Sequence, residues 1–463
     1  MQTQCISDQF EFEAFNGRRV VAAFDGGAIS SDAGALLLRQ TDKAIDLFSR
    51  VAACFEDHRD RQRTVHGLES MVGQRITGIA LGYEDINDHD ELRHDRVLAV
   101  LSGQVEQKRS DCAGLAGKST LNRLEHAPEG LPGRYHRITH DEAAIEHLFV
   151  DLFVEAHGTP PKRIVLDLDA TDVRLHGHQE GRFFHGYYDC YCYLPLYIFC
   201  GRQLLAAKLR PASIDGAAGA KQEVERIIAR IRQFWPDTRF LLRADSGFAR
   251  EELMVWCEQN KVDYLFGLAR NSRLVQSIEN HMAEAKAEHL ETGKPVRRFA
   301  DFMYTTLKSW SCRRRVAGKA EYLAKGANPR FVVTSLEPGQ AGTRELYEDI
   351  YCARGEMENR IKECQLDLYA DRTSTRTMRA NQLRLWFASF AYVLVETLRR
   401  LGLKHTRLEN ATCGSIRLKL LKLGARVKHS VRRITVSMTS QCPYQDEFAQ
   451  AHARICAAAP QSR

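Results

Sequence analysis

Apolar positions along the chain recur first at helical spacing, then at strand spacing, then at helical spacing again. Residues 1–155 read mainly as helix, broken by polar turns such as the run from Glu84 to Asp95. Ser31 and Asp32 stand just before Leu36, Leu37 and Leu38, a helix start with a carboxylate near the positive end of the dipole. After His157-Gly-Thr-Pro-Pro161, a linker signal, the pattern turns extended. Ile164–Asp169 (IVLDLD) predicts a buried strand, followed by strands at Tyr191–Cys200 and Leu204–Leu209. Pro195 costs the second of these a ladder hydrogen bond unless a bulge accommodates it. Val224, Ile227, Ile228, Ile231 and Trp235 share one helical face. A strand at Phe240–Asp245, a helix at Arg250–Asn260 and a strand at Val262–Ala269 complete a β-β-β-α-β-α-β order, an α/β fold. A mixed stretch, 272–343, holds strand-like pieces at Phe299–Thr306 and Phe331–Ser335. A helix then begins near Leu346, and a long one rich in Trp386, Phe387, Phe390, Val393 and Leu394 supplies core.

The 463 residues, 44% hydrophobic and 27% charged, exceed what one core serves and predict several structural units. The expected division is a mainly helical amino-terminal domain (1–155), an α/β domain (156–400) with an insertion at 272–343, and a basic carboxy-terminal segment (401–463). The apolar run Trp386–Val395 is interrupted by Ser389 and falls short of the roughly 20 residues of a membrane span. The first residues carry acids and no apolar run, so no secretory signal is read, and the expected location is the cytoplasm. The 13 cysteines include no C-x-x-C pair, which argues against a disulfide framework or a structural zinc site. Cys190 and Cys192, near His176, His178 and His185, make a metal site conceivable, but reduced thiols are the better reading. The segment GLAGKST (Gly114–Thr120) lacks the glycine spacing of a phosphate loop. The formal charge of +7 is concentrated: Leu401–Ser440 contains Lys404, Arg407, Arg417, Lys419, Lys422, Arg426, Lys428, Arg432 and Arg433 against Glu409 alone. Such a segment suits a polyanion.

Asp169 closes one predicted strand and Asp245 another, and the carboxyl ends of α/β strands face the crevice where ligands bind. In the helical segment Tyr351–Glu363, Tyr351, Arg354 and Glu358 share a face that Lys362 extends, a polar stripe where packing alone asks for apolar residues. Each acid alone is commonly a turn former or a solvated side chain. Together, three carboxylates from two strand ends and a helix suit a hard divalent cation. Asp167 and Asp169 point to the same side of their strand, so spacing does not choose between them. Asp169 lies nearer the carboxyl end and is preferred, with Asp167 orienting the site from behind.

These motifs resemble those of the DDE transposases of bacterial insertion sequences, group 1 DDE domain, 1380-type. The resemblance runs through AFDGGAISSDAGALLL (Ala23–Leu38), LDLDATD (Leu166–Asp172), GHQEG (Gly177–Gly181), YLPL (Tyr193–Leu196), RADSGF (Arg243–Phe248), RGEMENRIKE (Arg354–Glu363) and RANQLRLWFASFAY (Arg379–Tyr392). It implies a ribonuclease-H-like catalytic domain with a β-rich insertion before the helix carrying the third acid. Asp169, Asp245 and Glu358 would be the catalytic acids and ligands of two Mg²⁺ or Mn²⁺ ions. Tyr351 and Arg354 fall on the Y-x2-R-x3-E signature, which usually continues to a lysine seven residues after the acid. Here that position is Gln365, with Lys362 as substitute. The resemblance also implies binding to terminal inverted repeats, cleavage at the element ends and joining to target DNA, by a homodimer in the synaptic complex. Tyr351, Arg354, Lys362, Arg417, Lys419, Lys422, Arg426, Lys428, Arg432 and Arg433 are then the expected phosphate and DNA contacts. A repurposed DNA-binding protein without catalysis, and a metal-dependent nuclease without strand transfer, are the alternatives.

Overall fold

The computed structural model describes residues 9–103, 113–126, 133–430 and 432–459. It divides into two compact units, His140–Ser389 and a second built from both chain ends, Met1–Thr139 with Phe390–Arg463. Among the described residues no helix is long and apolar enough to cross a membrane.

The unit His140–Ser389 is a mixed α/β body around one large sheet. Its strands are β1 (Arg163–Ala170), β2 (Leu196–Cys200), β3 (Gln203–Lys208), β4 (Arg239–Ala244), β5 (Asp263–Leu268), β6 (Val296–Tyr304), β7 (Arg314–Leu323) and β8 (Arg330–Thr334). They lie in the order β3-β2-β1-β4-β5-β8-β7-β6, with β1, β4 and β5 parallel and β2 antiparallel to β1. Helices α1 (Glu142–Glu155), α2 (Ala220–Phe234) and α3 (Glu251–Gln259) belong to this unit. The division between units falls before α1 rather than at the expected 155/156, and the reason is packing. Val150, Phe153 and Val154 of α1 enter the same core as Leu166, Ile227 and Trp235, with the Phe153 and Trp235 rings 5.7 Å apart. The stretch 272–343, expected to be β-rich, opens with two helices, Ser272–Ser277 and Glu279–Thr292, and then continues the sheet: β8 pairs antiparallel with β5, and β7 and β6 follow outward.

The single strand expected at Tyr191–Cys200 is two. Cys190–Tyr193 joins a small sheet with Val173–Arg174 and Phe183–His185, and Leu196–Cys200 joins the large one as β2. Pro195, which has no N–H for a ladder, stands between them. The helical segment from Thr343 is also less regular than its spacing suggests. Wide π-type turns at Leu346–Tyr351 and Glu363–Asp367 flank the α-helix α4 (Gly355–Lys362); such turns often mark functional positions.

One buried ion pair fastens this segment to the sheet. Arg243 on β4 donates from Nε and Nη2 to the Asp167 carboxylate on β1 at 2.6 and 2.7 Å, and from Nη1 to the Ile350 carbonyl at 2.6 Å.

In the other unit, helices Leu36–Ile45, Leu47–Ala52 and Leu68–Ala80 bear out the helical pattern, but Phe10–Phe15 and Arg18–Ala22 form a hairpin. Its turn is Asn16-Gly17, both at positive φ, the pair favoured by tight hairpins. The carboxy-terminal basic segment contributes an antiparallel pair, β9 (Ala425–Ser430) and β10 (Arg433–Met438), with Ile29–Ser30 added alongside β9. Close packing ties the two chain ends together: a Cβ on Gly34 would lie 1.9 Å from the Leu420 carbonyl oxygen.

Gly34→Ala is expected to cost about 2 kcal/mol or more through overpacking. All four tryptophans lie in the other unit, so the measurement is amide exchange in Leu36–Ile45; unchanged protection would show that the backbone relaxes freely. Arg243→Met strands the buried Asp167 charge and is expected to cost about 3–5 kcal/mol. The apolar pair Asp167→Leu with Arg243→Met should recover about half of that loss in urea unfolding. A double variant no more stable than the single one would assign the loss to packing instead.

Candidate active site

β1 and β4 are parallel neighbours in a register that pairs Asp167 with Arg243 and Leu168 with Ala244. Asp169 and Asp245, the next residues, therefore stand at matching positions where both strands run out. Asp245 performs the ordinary turn duty as well: its Oδ1 accepts from the Gly247 N–H at 2.8 Å and caps the short turn Ser246–Phe248. Asp169 accepts from the Ala170 N–H through Oδ1 at 2.9 Å and presents Oδ2 to Arg354.

Arg354 joins the strand end to the helix. Its Nη1 lies 3.3 Å from Asp169 Oδ2 and its Nη2 donates to Glu358 Oε1 at 2.9 Å. Arg354 is mostly buried while Glu358 is half exposed. Burial above all, with the nearby Asp245 and Glu358 charges, raises the Asp169 carboxyl to about 6 against the opposing pull of Arg354. Burial also raises the Tyr351 hydroxyl, countered by Arg354 and reinforced by Asp245. Tyr351, Arg354 and all three acids thus share one electrostatic neighbourhood. Among the described residues, however, no cluster of three carboxylate, imidazole or thiol side chains stands ready to hold a metal ion. A guanidinium occupies the space between Asp169 and Glu358. Lys362 is exposed and pairs with no acid among the described residues, and Gln365 donates from Nε2 to the Asp172 carbonyl at 3.2 Å. Asp167 is committed to Arg243 behind the site.

Two contributors escaped the sequence reading. A Cβ at Gly267 on β5 would meet the Tyr351 hydroxyl at 2.6 Å and the Ser246 nitrogen at 2.8 Å, so only glycine leaves room for the Asp245 turn and the tyrosine together. Its signal was a glycine inside an apolar strand, a mark of close backbone approach. Tyr188, in the loop before Cys190–Tyr193, is raised to about 12 by burial and by the charges of Asp172, Asp169 and Asp245, so its hydroxyl is within electrostatic reach of those acids. The signal there was the aromatic density of Phe183–Tyr193.

The expected cations of the carboxy-terminal segment separate into kinds. Arg417 is buried and donates from Nε to the Ala80 carbonyl at 2.8 Å, and Lys422 pairs with Asp32 at 2.7 Å over the Tyr83 ring. These two serve the fold rather than an outer surface, because each fills a polar niche next to the amino-terminal helices. Lys419 lies 5.7 Å from the Tyr444 ring centre. Arg426, Lys428, Arg432 and Arg433 are exposed and form no ion pair among the described residues. The cysteines described are free thiols. In GLAGKST, the Lys118 N–H donates to Asp90 Oδ1 at 3.0 Å, so a carboxylate takes the place a phosphate would need.

No curated protein matches the chain. Among solved structures it is similar to the piggyBac transposase in its synaptic complex with hairpin DNA, at 12% identity, with 85% of this chain and 80% of that one covered and a TM-score of 0.40. The family described as transposase DDE domain group 1 matches residues 12–460, nearly the whole chain, and the protein belongs to that family.

Proposed function

We propose that the protein is the transposase of an insertion sequence of the 1380 type, binding the terminal inverted repeats, cleaving the element ends and joining them to target DNA. The observation that carries this reading is the matched placement of Asp169 and Asp245 at the ends of adjacent parallel strands, with Glu358 tied to Asp169 through Arg354. The order β3-β2-β1-β4-β5 with β2 reversed supports a ribonuclease-H-like core for the sheet, and β6–β8 supply the β-rich insertion before α4. Double-stranded DNA in the cytoplasm is the partner, and two copies of the chain act in the synaptic complex.

The donor set fits divalent cations. Asp169, Asp245 and Glu358 offer only oxygen, the preference of Mg²⁺ and Mn²⁺. Three carboxylates share the single guanidinium of Arg354, which bonds two of them, so the formal charge of the group leaves room for added cations. Asp169, Asp245 and Glu358 would hold two such ions, whose chemistry would be Lewis acidity toward the attacking water or 3′-hydroxyl and toward the leaving oxygen. The chain's own groups position the DNA. Arg354, exchanging Asp169 for a phosphate, offers a planar two-donor contact to the strand being cut. Tyr351, held over Gly267, sets the distance of that arginine from the Asp245 turn.

Asp169→Asn and Asp245→Ala should each retain binding to element ends and lose cleavage and strand transfer, measured by mapping products on DNA that carries the flanking inverted repeats. Asp167→Asn, which touches Arg243 instead of the crevice, should leave measurable cleavage. The reverse ranking of Asp167 and Asp169 would move the first ligand one step down β1. Cleavage without joined products would make the protein a nuclease; binding without either would make it a DNA-binding protein that has lost catalysis. Chelation should abolish cleavage, and Mg²⁺ or Mn²⁺ should restore it and raise the melting temperature of the wild type more than that of Asp169→Asn. Full activity in chelator would remove the ions from the reaction.

A further inference from the structure

We propose that β9–β10 is a base-reading ribbon that enters the major groove of duplex DNA, an assignment that rests on the reading of the chain as a transposase. The antiparallel register pairs Arg426 with Ser437, Lys428 with Thr435 and Ser430 with Arg433. Paired positions, and positions two apart, share a face, so these six residues form one surface. All six are exposed. The surface contains no acid, and its three cations form no ion pair among the described residues.

The opposite face anchors the ribbon. Ala425 and Val436 pack with Ala33, Leu423 and Phe448. Ala425 and Arg426 pair with Ile29–Ser30 and the Val427 N–H donates to the Ala28 carbonyl at 2.8 Å, so from Lys428 onward the element is two strands wide. The major groove, roughly 12 Å across, admits a two-stranded β-ribbon. The chemistry of the outward face is that of base edges: arginine and lysine donate to guanine O6 and N7, and serine and threonine donate or accept at either base. On the ribbon's other side, His429 joins Arg93, His94 and Arg96 around a cleft of about 650 Å³, whose one acid, Asp95, caps the following helix by accepting from the Val97 and Leu98 N–H groups. That cluster suits the DNA backbone, because phosphate contacts fix register while base contacts specify sequence. Alternation along the strands thus separates the two kinds of contact.

The test is selection from a pool of randomised duplexes by the full-length protein and by Lys428→Gln, Arg433→Gln and Thr435→Ala. The wild type should enrich one motif. Each cation variant should relax the preference at individual positions and weaken binding to the enriched duplex by about tenfold, with a much smaller loss on unrelated duplex. Thr435→Ala, which removes no charge from an exposed position, should change the preferred base at one position and leave the salt dependence unaltered. Even weakening on every duplex by the cation variants with a silent Thr435→Ala would reduce the ribbon to a phosphate contact and overturn the proposal, as would a wild type that enriches nothing. Cleavage of the enriched duplex with Mg²⁺ separates the two readings. Cutting with a motif indifferent to ribbon variants removes the ribbon alone, whereas a responsive motif without cutting keeps the ribbon and removes the catalytic reading.

Discussion

The pairing of Asp167 with Arg243 is the contact on which the candidate site depends. Two donors on one carboxylate hold β1 and β4 in register, and the third donor, on the Ile350 carbonyl, brings the segment with Tyr351 and Arg354 to the same strands. A planar two-donor contact tolerates little sliding. A slip of one residue between the strands would turn Asp169 and Asp245 to opposite faces of the sheet. Apolar residues of similar volume would fill the space with less desolvation cost. What the ion pair adds is direction: it selects the one register in which two strand ends and a helix present their carboxylates together.

That arrangement gathers like charges, and Arg354 is the local answer to it. Asp169 is the acid that feels the conflict most, because it is buried, faces Arg354 on one side and has Asp245 and Glu358 within electrostatic reach. A single guanidinium shared between Asp169 and Glu358 leaves Asp245 to be satisfied by the Gly247 N–H. The arginine therefore holds the carboxylates in place without neutralising them all. A planar group with several donors can leave one carboxylate and keep the other, which a compact ammonium on a flexible stem does less well.

Much of this was legible in the amino-acid sequence where one interaction dominates. Apolar runs ending in aspartate located β1 and β4, and one-face spacing located α2. The misses arise where a second constraint overrides the local pattern. Period-two alternation in Phe10–Phe15 and the Asn16-Gly17 turn were readable as a hairpin, but the helical character of the following residues obscured them. At Tyr191–Cys200 the apolar run continued through Pro195 while the hydrogen-bond ladder did not. The wide turns flanking α4 leave no local signature, since they depend on fitting that segment against the sheet. Gly267 and Tyr188 act through residues distant in sequence, and their place at the site follows from the topology rather than from any neighbouring motif.

The basic carboxy-terminal segment shows why charge density and charge presentation differ. Counted along the sequence, Arg417 and Lys422 look like members of the same cluster as Arg426 and Lys428. In the fold they face inward, onto the Ala80 carbonyl and onto Asp32, and they fasten the last part of the chain to the first. Beyond Gly424 the backbone becomes extended, and alternation takes over from helical spacing: Ala425 and Val427 turn in, Arg426 and Lys428 turn out. A charge that anchors the segment and one that faces solvent are thus chosen by backbone period. The inward cations are what give the outward ones a fixed direction, because a ribbon rooted in a packed unit presents its side chains as an ordered row, whereas a disordered tail of equal charge must be ordered on binding.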